Sequence, residues 1–316
     1  MPDRSYCDDG SSQCCREVRG SDLCSAVCVN NPWRGYVDTL FLGRSQQYSG
    51  DLVRQSGSPV AVALSGSDLD FDSATGVRAG FTRSLRCCRE LELLFTGMGD
   101  WQAEGVTTGN NDLSLPGPLG ALADFSGTDA VESQYTSGMR SFEANLIEQK
   151  HGIDWLVGFR YLKLDEGFSL TTFDLDSFAG EYTIKTTNSL YGGQIGCRCE
   201  RSLGNAVFSV AAKTGIYGNQ ADQASVVRTQ NGTAVNRDIM KSDNVVSNIS
   251  EITLNSDFAL SECIGIRIGL DLLWASDLAL APNQLDFTDL TTSSDFVDTT
   301  GSVFMQGAHL GLVIDF

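Results

Sequence analysis

The sequence predicts an all-β fold, a closed up-and-down antiparallel transmembrane β-barrel of about ten strands, or about twelve if a long link hides a hairpin. Three observations carry this expectation. Apolar and polar residues alternate along ten segments, most of those segments are long for soluble strands, and the links between them alternate short and long without exception. The chain has 316 residues with 33 glycines and only 6 prolines, a balance suited to strands and turns.

The segments are, in order, roughly 33–43, 76–84, 88–98, 136–147, 153–164, 182–199, 206–217, 248–259, 263–274 and 303–316. In the fifth, Ile153, Trp155, Val157, Phe159 and Tyr161 oppose Asp154, Gly158 and Arg160. In the ninth, Ile264, Ile266, Ile268, Leu270, Leu272 and Trp274 oppose Gly265, Arg267, Gly269 and Asp271. In the tenth, Phe304, Ala308, Leu310, Leu312, Ile314 and Phe316 oppose Gly307, His309, Gly311 and Asp315. Successive strand side chains point to opposite faces, so each segment has one apolar and one polar face. Most run for about 9–14 residues, against about 5–6 for a soluble strand and about 9–11 for a tilted bilayer crossing.

Short links join the second segment to the third around Ser84–Cys87, the fourth to the fifth ("EQKHG"), the sixth to the seventh ("RSLGN") and the eighth to the ninth ("LSEC"). Long links occupy 44–75, 99–135, 165–181, 218–247 and 275–302. Outer-membrane barrels have short turns at one end and long loops at the other. Charge divides the same way. The acids in excess in the long links account for the whole net charge of −18, whereas the short-turn end carries Arg83, Arg86, Arg89, Lys150, Arg198 and Arg201. Such an acidic chain does not suit a nucleic-acid partner. No apolar run reaches the roughly 18 residues of a membrane-spanning helix.

In a lipid-embedded barrel the apolar faces look outward and the polar faces line the lumen. The expected lumen residues are Arg78, Glu92, Glu143, Asp154, Arg160, Lys213, Glu251, Asp257, Arg267, Asp271 and His309. Both signs are present, so two readings stand: a bore filled by paired charges, or a polar channel for ions and small solutes. Ten strands lie near the narrow end of the range in which barrels hold water. Trp33, Trp155, Tyr161 and Trp274 fall at or near segment ends, where an aromatic girdle belongs. A soluble all-β binding protein is the rival from another class.

No catalytic constellation and no cofactor site is read. The two histidines are His151, in a short link, and His309; a hydrolase would need His309 to meet a lumen group such as Ser209 or Asp271. No His pair has zinc spacing and no Gly-rich phosphate loop precedes a helix. The acidic stretches "DLDFD" (68–72), "DEGF" (165–168) and "DFTDL" (286–290) offer carboxylates to divalent cations or a surface partner, or are merely solvated.

Ten cysteines divide evenly. Cys7, Cys14, Cys15, Cys24 and Cys28 lie in a polar segment, 1–32, ahead of the barrel at 33–316; Cys87, Cys88, Cys197, Cys199 and Cys263 lie at or beside short links. Disulfides tying 1–32 across the periplasmic rim are one expectation. Links between neighbouring barrels, a zinc site and free thiols are the others; "CC" and "CRC" spacing fits zinc poorly. The polar start "MPDRSYCDDGSSQCC" lacks the apolar core of a signal peptide, so export needs a targeting segment removed or encoded upstream.

Several stretches resemble the planctomycete outer-membrane β-barrel porin family: "IDWLVGFRYLKLDEGF" (153–168), "YTIKTTNSLYGGQIG" (182–196), "VAAKTGIYGNQA" (210–221), "LALAPNQL" (278–285) and the ending "GSVFMQGAHLGLVIDF". Less closely, "PWRGYVDTLFLGR" (32–44) and "GVRAGFTRSL" (76–85) fit too. The resemblance implies a bacterial outer-membrane barrel, with outer-membrane lipid as its surroundings, a cleaved signal and no known catalytic residues. The many cysteines depart from the family pattern.

Overall fold

A computed structural model describes residues 33–45, 48–56, 61–85, 89–175, 177–230, 232–288 and 296–316. The expected segment 1–32 lies outside the described residues. The strands are β1 (Trp33–Arg44), β2 (Asp51–Gln55), β3 (Ala61–Ser65), β4 (Ala74–Ser84), β5 (Arg89–Met98), β6 (Trp101–Ser114), β7 (Ser126–Lys150), β8 (Ile153–Asp174), β9 (Ser177–Leu203), β10 (Ala206–Thr229), β11 (Ala234–Ala259), β12 (Ile264–Leu278) and β13 (Gly301–Asp315).

Ten of these form a closed antiparallel ring, in the order β1, β4, β5, β7, β8, β9, β10, β11, β12, β13 and back to β1. They are the ten segments read from the alternation. Closure runs from Arg34 opposite Asp315 to Arg44 opposite Met305, so the ring has no open edge. The other three strands extend the wall at the long-link end, hereafter the upper end. Past Gly99 and Asp100, β6 continues the line of β5 along the upper part of β7. The β2–β3 hairpin, hidden in the first long link, attaches to β6 through Arg54 and Gln55.

Two lower turns are two residues long, Gly204–Asn205 between β9 and β10 and His151–Gly152 between β7 and β8. In the second, both residues have positive φ, 55° and 78°. Such a two-residue turn matches the right-handed twist of the strands it joins.

Two expectations are corrected. Links 165–181 and 218–247 are not loops: β8 and β9 pair up to Asp174 and Ser177, and β10 and β11 pair up to Thr229 and Ala234. The reason is a reversal of polarity within each strand. On lower β8, Trp155, Val157, Phe159 and Tyr161 are exposed while Asp154 and Arg160 are buried inside. On upper β8, Leu162, Leu164, Phe168 and Leu170 are buried inside while Lys163, Asp165, Gly167 and Ser169 face out. The alternation never stops; it changes sense, and so its upper half does not read as a continuation.

The same reversal runs round the ring. Below it, the outer surface carries Val37, Phe41, Phe81, Leu93, Phe95, Leu146, Ile195, Val210, Leu254, Ile268 and Leu312, each more than a third exposed. Above it, buried apolar residues gather inside the barrel. One cluster includes Leu42, Trp101, Met139, Leu190, Tyr217, Leu273 and Met305; a second, higher one includes Leu52, Leu113, Phe125, Tyr135, Phe168, Tyr182 and Val227. Trp101 is fully buried, and its Nε1–H donates to the Leu42 carbonyl at 2.8 Å.

Candidate functional site: the bore

The lower half of the bore is built from inward positions of the ring strands. Because each strand offers every second residue, neighbouring strands bring charges of opposite sign to one level. Arg160 on β8 lies 2.8 Å from Glu251 on β11 and 3.5 Å from Glu143 on β7. Lys213 on β10 meets the same two carboxylates at 2.9 and 3.1 Å. Asn145 and Gln194 donate to Glu143 as well, at 3.2 and 2.7 Å. Across the bore, Arg78 on β4 bridges Asp38 at 3.0 Å and Asp271 at 2.7 Å. Nearer the lower rim, Arg267 and Arg34 share Asp257, each at 2.8 Å, and the Arg267 guanidinium lies 4.1 Å from the centre of the Tyr36 ring. A cavity of about 100 Å³ lies in this half, walled by residues that include Arg34, Tyr36, Glu92, Arg198, Lys213 and Arg267.

His309 is buried in this network. Its Nδ1 is 2.6 Å from Asp271 and its Nε2 is 2.9 Å from Asn255 Oδ1. Ser209 receives a bond from Asn255 Nδ2 at 3.2 Å and does not meet the imidazole. A hydrolytic triad needs its nucleophile on the free ring nitrogen, and here that nitrogen faces an amide. Room for the ring comes from Gly269, where a β-carbon would collide with it.

Above the charged layer a piece of the last long link enters the barrel. Ala279, Leu280 and Ala281 are all buried. Inward side chains of the strands bond its backbone. Asn188 on β9 donates to the Ala279 carbonyl and accepts from its N–H, both at 2.8 Å. Ser247 and Asn219 donate to the Asp277 carbonyl at 2.7 and 3.3 Å. Glu166 on β8 accepts from the Ala281 N–H and from the Tyr135 hydroxyl, both at 2.9 Å, and from Arg44 and Ser137. Burial pushes the Tyr135 phenol well above its usual range, so it stays a donor to Glu166. Polar groups removed from water are costly unless bonded. These side chains therefore serve to hold a stretch of irregular backbone inside the bore.

All eleven expected lumen residues occupy inward positions; eight are buried, and Lys213, Glu251 and Asp257 are partly exposed. Alternation also contained Asp38 and Arg198, inward members that the reading of charged lumen positions passed over. Arg44, Tyr135, Glu166 and Asn219 lie in stretches that the alternation assigns to links, whereas Asn188 lies within segment 182–199 and, being uncharged, is not among the charged lumen positions. Of the acidic stretches, "DEGF" sends Asp165 outward, beside Lys163 at 2.8 Å, and Glu166 inward. Asp68 bonds its own turn at Ser65. Among the described residues no three His, Cys, Asp or Glu side chains gather as a metal site would require.

The cysteine expectation is corrected where it can be seen. Cys197 and Cys199 are free thiols, and both occupy outward positions on β9, with Cys197 in register with Trp155. The expected disulfides would tie residues 1–32 across the rim; the strand register turns both of these thiols towards the outer surface. Cys263 stands just before β12. Cys7, Cys14, Cys15, Cys24, Cys28, Cys87 and Cys88 lie outside the described residues.

A family model described as "Putative beta barrel porin-7 (BBP7)" matches residues 120–316. The chain belongs to that family. The match spans the ring from the start of β7 to its end, the part holding the inserted segment and His309. No curated protein sequence matches the chain. Among solved structures, the chain is similar to the outer membrane protease OmpT from Escherichia coli, with 9% identity, 91% of this chain and 98% of that chain covered, and a TM-score of 0.50. It is also similar to the translocator domain of the autotransporter NalP from Neisseria meningitidis, with 9% identity, coverage of 90% and 89%, and a TM-score of 0.41. For the Pseudomonas putida toluene transporter TodX the identity is 7%, the coverage 90% of each chain and the TM-score 0.32. At such identity the first of these shows a shared barrel fold.

Proposed function

We propose that this porin-family protein is an integral outer-membrane barrel whose bore is closed in its upper half. On this reading it serves as a structural or surface component with at most restricted passage of small solutes, and it is not an enzyme. The observation that carries the reading is the reversal of polarity along β8. Lower β8 exposes Trp155, Val157, Phe159 and Tyr161, whereas upper β8 buries Leu162, Leu164, Phe168 and Leu170. An apolar outer face round a polar bore suits lipid outside; a polar outer face round an apolar core suits water outside and no water inside. A soluble all-β barrel would bury its apolar faces along the whole length. The inserted segment around Ala279–Ala281 supports closure, since it fills the bore above the charged layer.

Planar-bilayer recording tests the reading. Leu278 and Gly301 are register partners at the mouth of the last long link, so 279–300 can be replaced by an Asn-Gly turn. The unaltered protein is expected to give no steady single-channel steps, and the shortened one to conduct. Steady steps from the unaltered protein would overturn the closed-bore reading in favour of an open pore.

A further inference from the structure

On each ring strand the outward residues change on the way up from a mostly apolar run to a mostly polar one, with Val246 and Met240 on β11 exposed above the change. The first outward residue past the apolar run is Gly43 on β1, Thr75 on β4, Gly97 on β5, Ser189 on β9, Gly218 on β10, Ser250 on β11, Ser276 on β12 and, beyond outward Phe304, Ser302 on β13. None of these is charged. On β7 and β8 it is Arg140 and Lys163, and the two are register partners on adjacent strands. Like charges placed directly across an antiparallel pair repel. Arg140 is exposed, and among the described residues it makes no ion pair. Lys163 meets Asp165 at 2.8 Å, but the two side chains are 37% and 46% exposed, so that pair does little to hold the ammonium. One step below the cations, Phe142 and Tyr161 are partners, and Tyr161 is paired with Tyr191. One step above, towards water, come the outward carboxylates Asp100, beside Gly138, and Asp165.

We propose that Arg140 and Lys163 bind the phosphate of an anionic lipid headgroup in the upper leaflet. The proposal rests on the reading of the lower outer face as lipid-facing and goes beyond it. The cations stand at the apolar–polar boundary, the depth at which headgroup phosphates lie, and aromatic rings directly beneath them suit the interface. A guanidinium offers a planar fork that matches phosphate oxygens, with the ammonium as a second point charge. A shared anion also relieves the repulsion between the two side chains. No other ring strand offers a charge at this step, so the site is single and confined to one flank of the barrel.

Native mass spectrometry of the barrel in neutral detergent, titrated with short-chain phosphatidic acid, tests this. One phosphatidic acid is expected to bind in preference to the matching uncharged diacylglycerol. R140Q/K163Q is expected to lose about 25-fold in affinity, roughly fivefold per cation. The exchanged variant R140K/K163R is expected to keep most of it, and K185Q/R228Q, which removes outward cations higher up, to bind as the unaltered protein does. Equal binding by R140Q/K163Q, with heat-modifiable gel mobility intact, would overturn the site. Displacement by millimolar inorganic phosphate would overturn the lipid as its occupant. Failure of the membrane reading shows separately, as a protein that stays soluble without detergent.

Discussion

Asp271 joins three side chains in the lower bore. It accepts from Arg78 at 2.7 Å, from Thr253 at 3.2 Å and meets His309 at 2.6 Å. Removing one partner of a buried charged pair leaves the other charge uncompensated, at a cost of about 3–5 kcal/mol. D271A is therefore expected to unfold in urea with about that loss of stability, and a double-mutant cycle with R78M to recover part of it. Purely additive losses would show that the two do not act together. Gly269 makes a sharper case. A side chain there runs into the His309 ring and the Leu254 carbonyl. G269V is expected to cost about 1–3 kcal/mol through overpacking, and H309A to rescue only part of it in the same melt, the Leu254 carbonyl remaining. Alternation alone placed Asp271 and His309 on the inner face. It also offered Asp271 as a partner for His309 on the next strand; what it could not supply is Arg78 on the same carboxylate, because β4 meets β12 only across the closed ring.

At the scale of the element, β8 makes two opposite demands on one alternating strand. Val157 looks outward at mid-band and Phe168 looks inward above it, with relative exposures of 56% and 1%. V157R is expected to cost about 2–4 kcal/mol and to impair membrane assembly, since it sets a charge in hydrocarbon. S169R, outward but above the boundary, is expected to be neutral. F168A is expected to cost about 3–5 kcal/mol as a core truncation. Unfolding in detergent-resolved urea gradients ranks the three, and similar losses for V157R and S169R would contradict the boundary. The same reversal explains what sequence reading missed. The ten lower strands were legible because an apolar outer face stood against charged inner residues. From Leu162 upward the apolar parity changes side, and acids such as Asp165 and Asp174 mimic a solvated loop. The inserted segment was illegible for a different reason: Ala279–Ala281 look like any small apolar link until the inward Asn188 and Glu166 are seen bonding their backbone.

For the whole molecule, the consequence is a barrel in two storeys. The lower storey turns hydrocarbon-compatible side chains outward around a charged bore; the upper storey turns polar side chains outward around an apolar core and an inserted segment. The excess of acids in the upper links, which carries the chain's net charge of −18, belongs to the watery storey. Four tryptophans sample both. Trp155 and Trp274 are outward, at 53% and 46% exposure, while Trp101 is fully enclosed within the bore. Fluorescence of single-tryptophan variants in bilayers of acyl-brominated lipid tests the arrangement most directly, with the remaining tryptophans replaced by phenylalanine. The expected result is strong quenching when only Trp155 or Trp274 is present and almost none when only Trp101 is; quenching of Trp101, or no quenching of Trp155 and Trp274, would contradict it.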